Sequence, residues 1–172
     1  LRDELAAIPD LRLVVLDPLQ ALATVPLNED PAAAQFVCSH LGALAATTGA
    51  TVLVAHHMRK SSQTPITDLA KAREAIRGTS ALVDGMRLAY ALWPADEATA
   101  RAAATKMGRP PAPNGVVQAG IVKSNGPARR EVRTLWRDPT GLLRDVTETV
   151  SGAGDRSELL DKLVEAVAAA AR

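Results

Sequence analysis

The sequence predicts an α/β fold: a mostly parallel sheet flanked by helices, continuing into antiparallel strands, with a C-terminal helix. Three observations carry this. Residues 12–17 and 50–55 are short apolar runs that end abruptly in polar residues, as expected of parallel strands buried on both faces. Residues 31–48, between them, place Phe36, Val37, Leu41 and Leu44 at near-helical spacing, so the order strand, helix, strand makes a βαβ unit. Beyond residue 115, three strand-like segments are separated by tight connections, a pattern of antiparallel strands.

Taken in order, residues 1–10 read as a helix end or linker closed by Pro9-Asp10. The first strand, 12–17, ends in Asp17, and Pro18 bars its ladder from continuing. Residues 18–30 read as a loop. Asp30 is positioned to N-cap a helix with Pro31 at its first position, and Gly49 to stop it after Thr48. The second strand ends in His56-His57-Met58-Arg59-Lys60. A polar loop, Ser61 to Thr67, precedes a short helix capped by Thr67 or Asp68 and ending near Ile76. Arg77-Gly78-Thr79-Ser80 is a turn before another short helix, Ala81–Asp84. Met86–Trp93 is a third strand, stopped by Pro94. Residues 95–107 are Ala-rich and read as an exposed helix at one edge. Val116–Lys123, Glu131–Arg137 and Leu142–Val146 read as strands. Residues 1–150 are thus expected to form one domain. Residues 151–172 are expected to be a linker and a helix, striped with Leu159, Leu160, Leu163, Val164 and Val167, that could open a further domain.

Composition narrows the function. With 20 Lys and Arg against 19 Asp and Glu the net charge is +1, so any contact with a polyanion has to be local. The single cysteine, Cys38, excludes an internal disulfide and fits a reducing cytoplasm; it reads as a small buried apolar group on a helix. No apolar run approaches membrane-spanning length and no signal peptide is visible. The chain begins with Leu1 and reaches its Asp-terminated strand within twenty residues, as expected of part of a longer protein.

In open parallel sheets, ligands bind beyond the carboxyl ends of the strands. Asp17 and the His56-His57 pair fall there together. A carboxylate at that position can hold Mg²⁺ directly or through water, and an imidazole beside it can sense a γ-phosphate. Each residue also has a plainer reading: Asp17 as a turn former before proline, His56 as a packed histidine. Zinc is a poor alternative, because neighbours on a strand point to opposite faces and only His40 remains as a further histidine.

Four blocks in order, Leu13-Val14-Val15-Leu16-Asp17-Pro18-Leu19, Val52 to Lys60, Arg77-Gly78-Thr79-Ser80-Ala81-Leu82-Val83-Asp84-Gly85-Met86-Arg87 and Val122-Lys123-Ser124-Asn125-Gly126, resemble the RepA-type hexameric replicative DNA helicases of the wider RecA/DnaB-like P-loop ATPases. The resemblance implies a RecA-like fold, ATP and Mg²⁺ as cofactors, a homo-oligomeric, hexameric ring and single-stranded DNA as partner, in plasmid, phage or mobile-element replication. Residues 1–150 would be the C-terminal part of the ATPase core. Asp17 would be the Walker-B carboxylate on Mg²⁺, and His57 the γ-phosphate sensor, with His56 second choice. Arg77 would be the arginine finger reaching a neighbouring subunit's nucleotide, with Arg87 and Lys123 as alternatives. A finger needs a permanent charge and a fork, although a surface ion pair is the commoner fate of an arginine. Arg59, Lys60, Lys71 and Arg73 would track a DNA backbone without reading sequence, or form a solvated loop.

One departure matters most. The phosphate-binding loop, Gly-x-x-x-x-Gly-Lys-[Ser/Thr], is absent from the 172 residues, and Gly78-Thr79-Ser80 lacks both the Lys and the spacing. The family's catalytic glutamate, from an earlier strand, is missing too. The chain is therefore expected to be inactive alone. The alternatives are a non-catalytic RecA-like scaffold or regulatory subunit and, more remotely, a recombination or clock-type ATPase.

Overall fold

The computed structural model describes residues 2–27, 29–58, 65–78, 80–110 and 112–151. The expected last helix lies outside them. The chain divides into two compact units, residues 1–91 with 121–130, and residues 92–120 with 131–172.

The first unit is built on a βαβ turn. It contains α1 (Arg2–Ala6), β1 (Leu13–Leu16), α2 (Leu19–Leu22), α3 (Pro31–Thr48), β2 (Thr51–Val54), α4 (Leu69–Ala75) and α5 (Ser80–Gly85). β1 and β2 pair in parallel, Leu13 against Thr51 through Leu16 against Val54. The helix between them has the ends its sequence dictates. The Asp30 carboxylate accepts from Ala32 N–H, Pro31 opens the first turn, and Gly49 at φ 68° donates to Ala45 O. The left-handed Gly49 is the position where a side chain would be strained. Val14, Leu44 and Ala50 form one cluster, with Leu5, Leu11, Leu16 and Val52 against it. Leu19, Leu27, Ala34, Val37 and Leu82 form another.

Several expectations need correction here. The stretch 18–30 is not all loop, since α2 turns Leu19 into the core at 3% exposure; a four-residue helix is too short to show a period. Phe36 faces solvent at 55% and stacks on His40; it is Val37, one position on, that packs inward. β1 and β2 are covered on one face only. Leu13, Val15 and Leu53 are 52%, 54% and 55% exposed. Parallel pairing among the described strands is confined to this pair, so the parallel part of the fold is smaller than the sequence pattern predicts.

The second unit holds α6 (Glu97–Lys106), β5 (Arg133–Arg137), β6 (Leu143–Asp145) and α7 (Thr147–Ser151); β3 (Leu88–Pro94) and β4 (Val116–Ser124) pass through both units. The sheet order is β3-β4-β5-β6. β4 and β5 are antiparallel, with Val116 opposite Trp136, and so are β5 and β6. Ala95 N–H bonding Val116 O and Asn125 N–H bonding Arg87 O give β3 and β4 the same antiparallel course. α6 is exposed along most of its length, as its composition suggests, but it buries Ala103 and Ala104, at 0% and 2% exposure, against Trp136 and Val146. Small residues there let the helix sit close to the ring. Thr147, directly after the last expected strand, opens α7 and accepts Thr134 N–H through its hydroxyl.

The β5–β6 turn is organised by one carboxylate. Asp138 accepts from Thr140 N–H, the Thr140 hydroxyl, Leu142 N–H and Arg144 Nε. These bonds, the Thr140 hydroxyl foremost, pull its pKa down to about 2 from an ordinary 3.8. A depressed carboxylate stabilises above its unfolded pKa and loses that contribution as pH falls towards its folded one. Asp138→Asn should therefore melt at a lower temperature than wild type at pH 7, and the gap should close between about pH 4 and pH 2; a pH-independent gap in thermal melts would show the carboxylate charge to be irrelevant.

In the first unit, α3 and α5 touch where Gly85 meets Cys38. A Cβ on Gly85 would lie 2.5 Å from Cys38 Sγ and 2.7 Å from its Cβ. The thiol reaches Leu82 O at 3.6 Å, and burial pushes its pKa up. Gly85→Ala should cost about 1–3 kcal/mol by overpacking. Gly42→Ala, at an exposed α3 position with nothing within 4 Å, should gain about 0.5–1 kcal/mol. Urea midpoints of the two variants should move in opposite directions.

Candidate functional site

The site is assembled at the carboxyl ends of β1 and β2. Asp17 follows β1 directly, and His56 and His57 follow β2 after Ala55. The two ends are tied together past the last strand residues: Ala55 N–H donates to Leu16 O at 2.9 Å, and Leu19 N–H to Ala55 O at 2.8 Å. Asp17 continues the alternation of Leu13 and Val15 onto the uncovered face, and it is exposed. Among the described residues its carboxylate has no hydrogen-bond or ion-pair partner. A hard, unpaired carboxylate at a strand end suits Mg²⁺ held directly or through water.

The adjacent histidines have different surroundings. His57 is exposed and its side chain has no partner among the described residues. His56 is half-buried. Its Nε2–H donates to Arg77 O at 2.8 Å, while its Nδ1 is buried without a partner among the described residues. Burial lowers the His56 pKa, more than the carbonyl bond raises it, with smaller lowering from the charges of His57 and Arg77. A carbonyl only accepts, so the neutral ring carries its proton on Nε2. His56 is thus placed as a clamp on the Arg77 turn, and the free imidazole of the pair is His57.

Arg77 is joined to the same strand end through its backbone. Its N–H donates to His57 O at 3.0 Å, and Met58 and Ile76 form an antiparallel bridge one step further on. Gly78 takes φ 111°, a conformation that favours glycine, and turns the chain towards α5. The Arg77 side chain is exposed, with no partner among the described residues. Beside it lies a cavity of about 580 Å³ between α4 and α5, with Arg73, Glu74, Ser80 and Val83 in its walls. Nothing in the sequence pattern marks Glu74 or Ser80, since the cavity follows from the angle between two short helices.

The remaining expected residues are placed elsewhere in the unit or outside the described residues. Arg87 is exposed at the start of β3, with its carbonyl bonded to Asn125 N–H. Lys123 on β4 gives its ammonium to Met86 O. Neither shares a hydrogen bond or ion pair with Asp17 or the histidines among the described residues. Lys71 and Arg73 are on α4: Lys71 Nζ donates to the Thr67 hydroxyl at 3.1 Å, and Arg73 is paired with Asp84 of α5. Arg59 and Lys60 lie outside the described residues. No three His, Cys, Asp or Glu side chains converge on a metal-sized space among the described residues, and no helix there is long and apolar enough to cross a membrane.

Residues 1–63 match a family model described as an AAA domain. The match takes in Asp17, His56 and His57 and stops short of Arg77. No curated protein matches the chain. At this coarse level, the stretch that builds the two strand ends is similar to the domains of nucleotide-dependent ATPases.

Proposed function

We propose that this chain supplies the metal-holding and phosphate-sensing part of a RecA-like ATPase that works as a ring helicase on single-stranded DNA, of the RepA-type kind. The observation that carries the reading is the pairing of β1 with β2, which brings to one end of a parallel sheet a carboxylate, Asp17, and an imidazole, His57, that are both without partners among the described residues. The AAA-domain match over the same residues supports it.

The residues present fit one partner of such a reaction and not the other. Mg²⁺ suits Asp17. The β- and γ-phosphates need a row of backbone amides and a lysine, and the sequence contains no such loop. Leu13, Val15 and Leu53, bare on the face that Asp17 continues, call for a covering element on the side where the phosphates would be held. Both needs are met in this reading by a single polypeptide segment that carries the phosphate-binding loop and packs on that face.

Within this reading the chain's own residues divide the work. Asp17 holds the metal's position. His57 donates or accepts a hydrogen bond at the phosphate end. His56, neutral and clamped on Arg77 O, fixes the strand end. Arg77 projects from its turn as the finger for a neighbouring subunit, because its guanidinium has no partner among the described residues while Lys123 is engaged by Met86 O. Of the basic residues assigned to DNA, Arg73 is paired with Asp84, and Lys71 bonds the Thr67 hydroxyl beside the Asp68 carboxylate, whose pKa its charge helps to lower.

The test uses the full-length product of the gene, with DNA-stimulated phosphate release as the readout. Asp17→Ala and Arg77→Ala should each lower turnover by about 10³-fold or more. Mixed rings of the two variants should regain activity, since each supplies what the other lacks. The 172-residue chain alone should release no phosphate. Turnover that survives Asp17→Ala would overturn the reading, and failure of the mixed rings would remove Arg77 from its role in trans. A full-length product without a phosphate-binding loop or hydrolysis would be the scaffold instead.

A further inference from the structure

The second unit contains a cleft that the ATPase reading does not use. It measures about 450 Å³, within the range of small-ligand clefts. It opens between the end of α6 and the β5–β6 turn. Met107, Trp136 and Val146 make its apolar walls, and Arg109, Asp138 and Arg144 its polar ones. Trp136 and Val146 are 5% and 8% exposed, so the floor is dry.

The charges around it do not cancel. Asp138 is fully engaged by its own turn and by Arg144 Nε at 3.0 Å, which neutralises Arg144. Arg109 lies over the Trp136 ring at 5.8 Å. Among the described residues it has no hydrogen-bonded side-chain partner and no carboxylate. One positive charge is therefore left at the mouth of an apolar cleft, within cation–π range of the indole and with its N–H donors unpaired among the described residues. Arg144 keeps its terminal nitrogens as a second donor, since among the described residues only Nε meets Asp138.

We propose that this cleft binds a monocarboxylate with an apolar body. The excess of a single charge matches a monoanion better than a di- or triphosphate. The donor edge of a guanidinium matches the two oxygens of a carboxylate. Met107, Trp136 and Val146 give an apolar group a place to leave water. A free aromatic or aliphatic acid has this chemistry, and so does a polypeptide C-terminus with an apolar last residue.

The experiment is a titration of the full chain by proton–nitrogen NMR. Its two tryptophans give two indole N–H signals. Trp136 reports on the cleft. Trp93, 2% exposed and bonded to Gln118 Oε1 at 3.0 Å, is the internal control. Benzoate stands for free acids and N-acetyl-leucine for a C-terminus. At least one of them should shift the Trp136 signal saturably and leave Trp93 in place, and the tighter of the two identifies the source. Benzamide, the neutral analogue of benzoate, should bind about tenfold more weakly or worse, as should either acid to Arg109→Gln. Arg101→Gln, on the exposed face of α6, should bind like wild type. Arg144→Gln provides a second loss-of-donor variant should Arg109→Gln show a collapsed spectrum, and it too should weaken binding. Absence of a saturable shift with both acids would overturn the proposal. So would benzamide matching benzoate, or unchanged affinity in a folded arginine variant.

Discussion

The parallel pairing of β1 with β2 is the constraint on which the rest of the first unit depends. Four rungs join the strands, and two further backbone bonds, Ala55 N–H to Leu16 O and Leu19 N–H to Ala55 O, carry the pairing past their ends. Without those two bonds, Asp17 and the histidines would hang from independent loops. With them, an acid and an imidazole leave the same edge from adjacent chains. α3 makes the arrangement possible. A parallel pair cannot be joined by a tight turn, so the chain must cross over, and the capped helix from Pro31 to Thr48 is that crossover.

A second, smaller ladder extends the first. The chain after β2 zips antiparallel onto the chain after α4, through Met58 against Ile76, Arg77 N–H to His57 O, and His56 Nε2 to Arg77 O. The sensor candidate and the finger candidate are thus neighbours on one hydrogen-bonded lattice, although twenty residues separate them in sequence. The cost is visible at His56, where one ring nitrogen is spent on the carbonyl and the other is buried with no partner among the described residues. A buried polar atom without a bond is unfavourable. The neutral ring, favoured by burial, keeps that cost lower than a charged one would.

What was legible in the sequence follows from locality. α3 was readable end to end because its stops are chemical: an Asp that caps, a Pro at N1, a Gly that takes φ 68°. Asp68, one of two cap candidates for α4, is the one that accepts from Lys71 N–H, and Asp96 caps α6 by the same bond, although α6 is readable from its alanines and not from that cap. Asp17 and the histidines were readable because a strand's end is marked by where the apolar run breaks. What escaped depends on distant partners. The inward turn of Leu19, the burial of Ala103 and Ala104 under Trp136, and the capture of Lys123 by Met86 O are tertiary facts with no period. The pairing of Arg73 with Asp84 is of the same kind, and it engages one of the basic residues assigned to a phosphate backbone.

The apolar run of β1 posed a harder question. Leu-Val-Val-Leu reads as a strand covered twice, yet only Val14 and Leu16 face the α3 side, while Leu13 and Val15 stand more than half exposed beside Leu53. The pattern and the structure are reconciled if the strand is adapted to an environment with two packed faces, of which this chain builds one. Three large aliphatic side chains in a row on a two-stranded sheet form a contiguous patch, unlike scattered surface leucines. The same face ends in Asp17. Burial and chemistry therefore ask for something on the same side: an apolar surface over the strands, and a ligand cradle over their carboxyl ends. Under the proposed function, one covering segment that also carries the phosphate-binding loop would meet both needs.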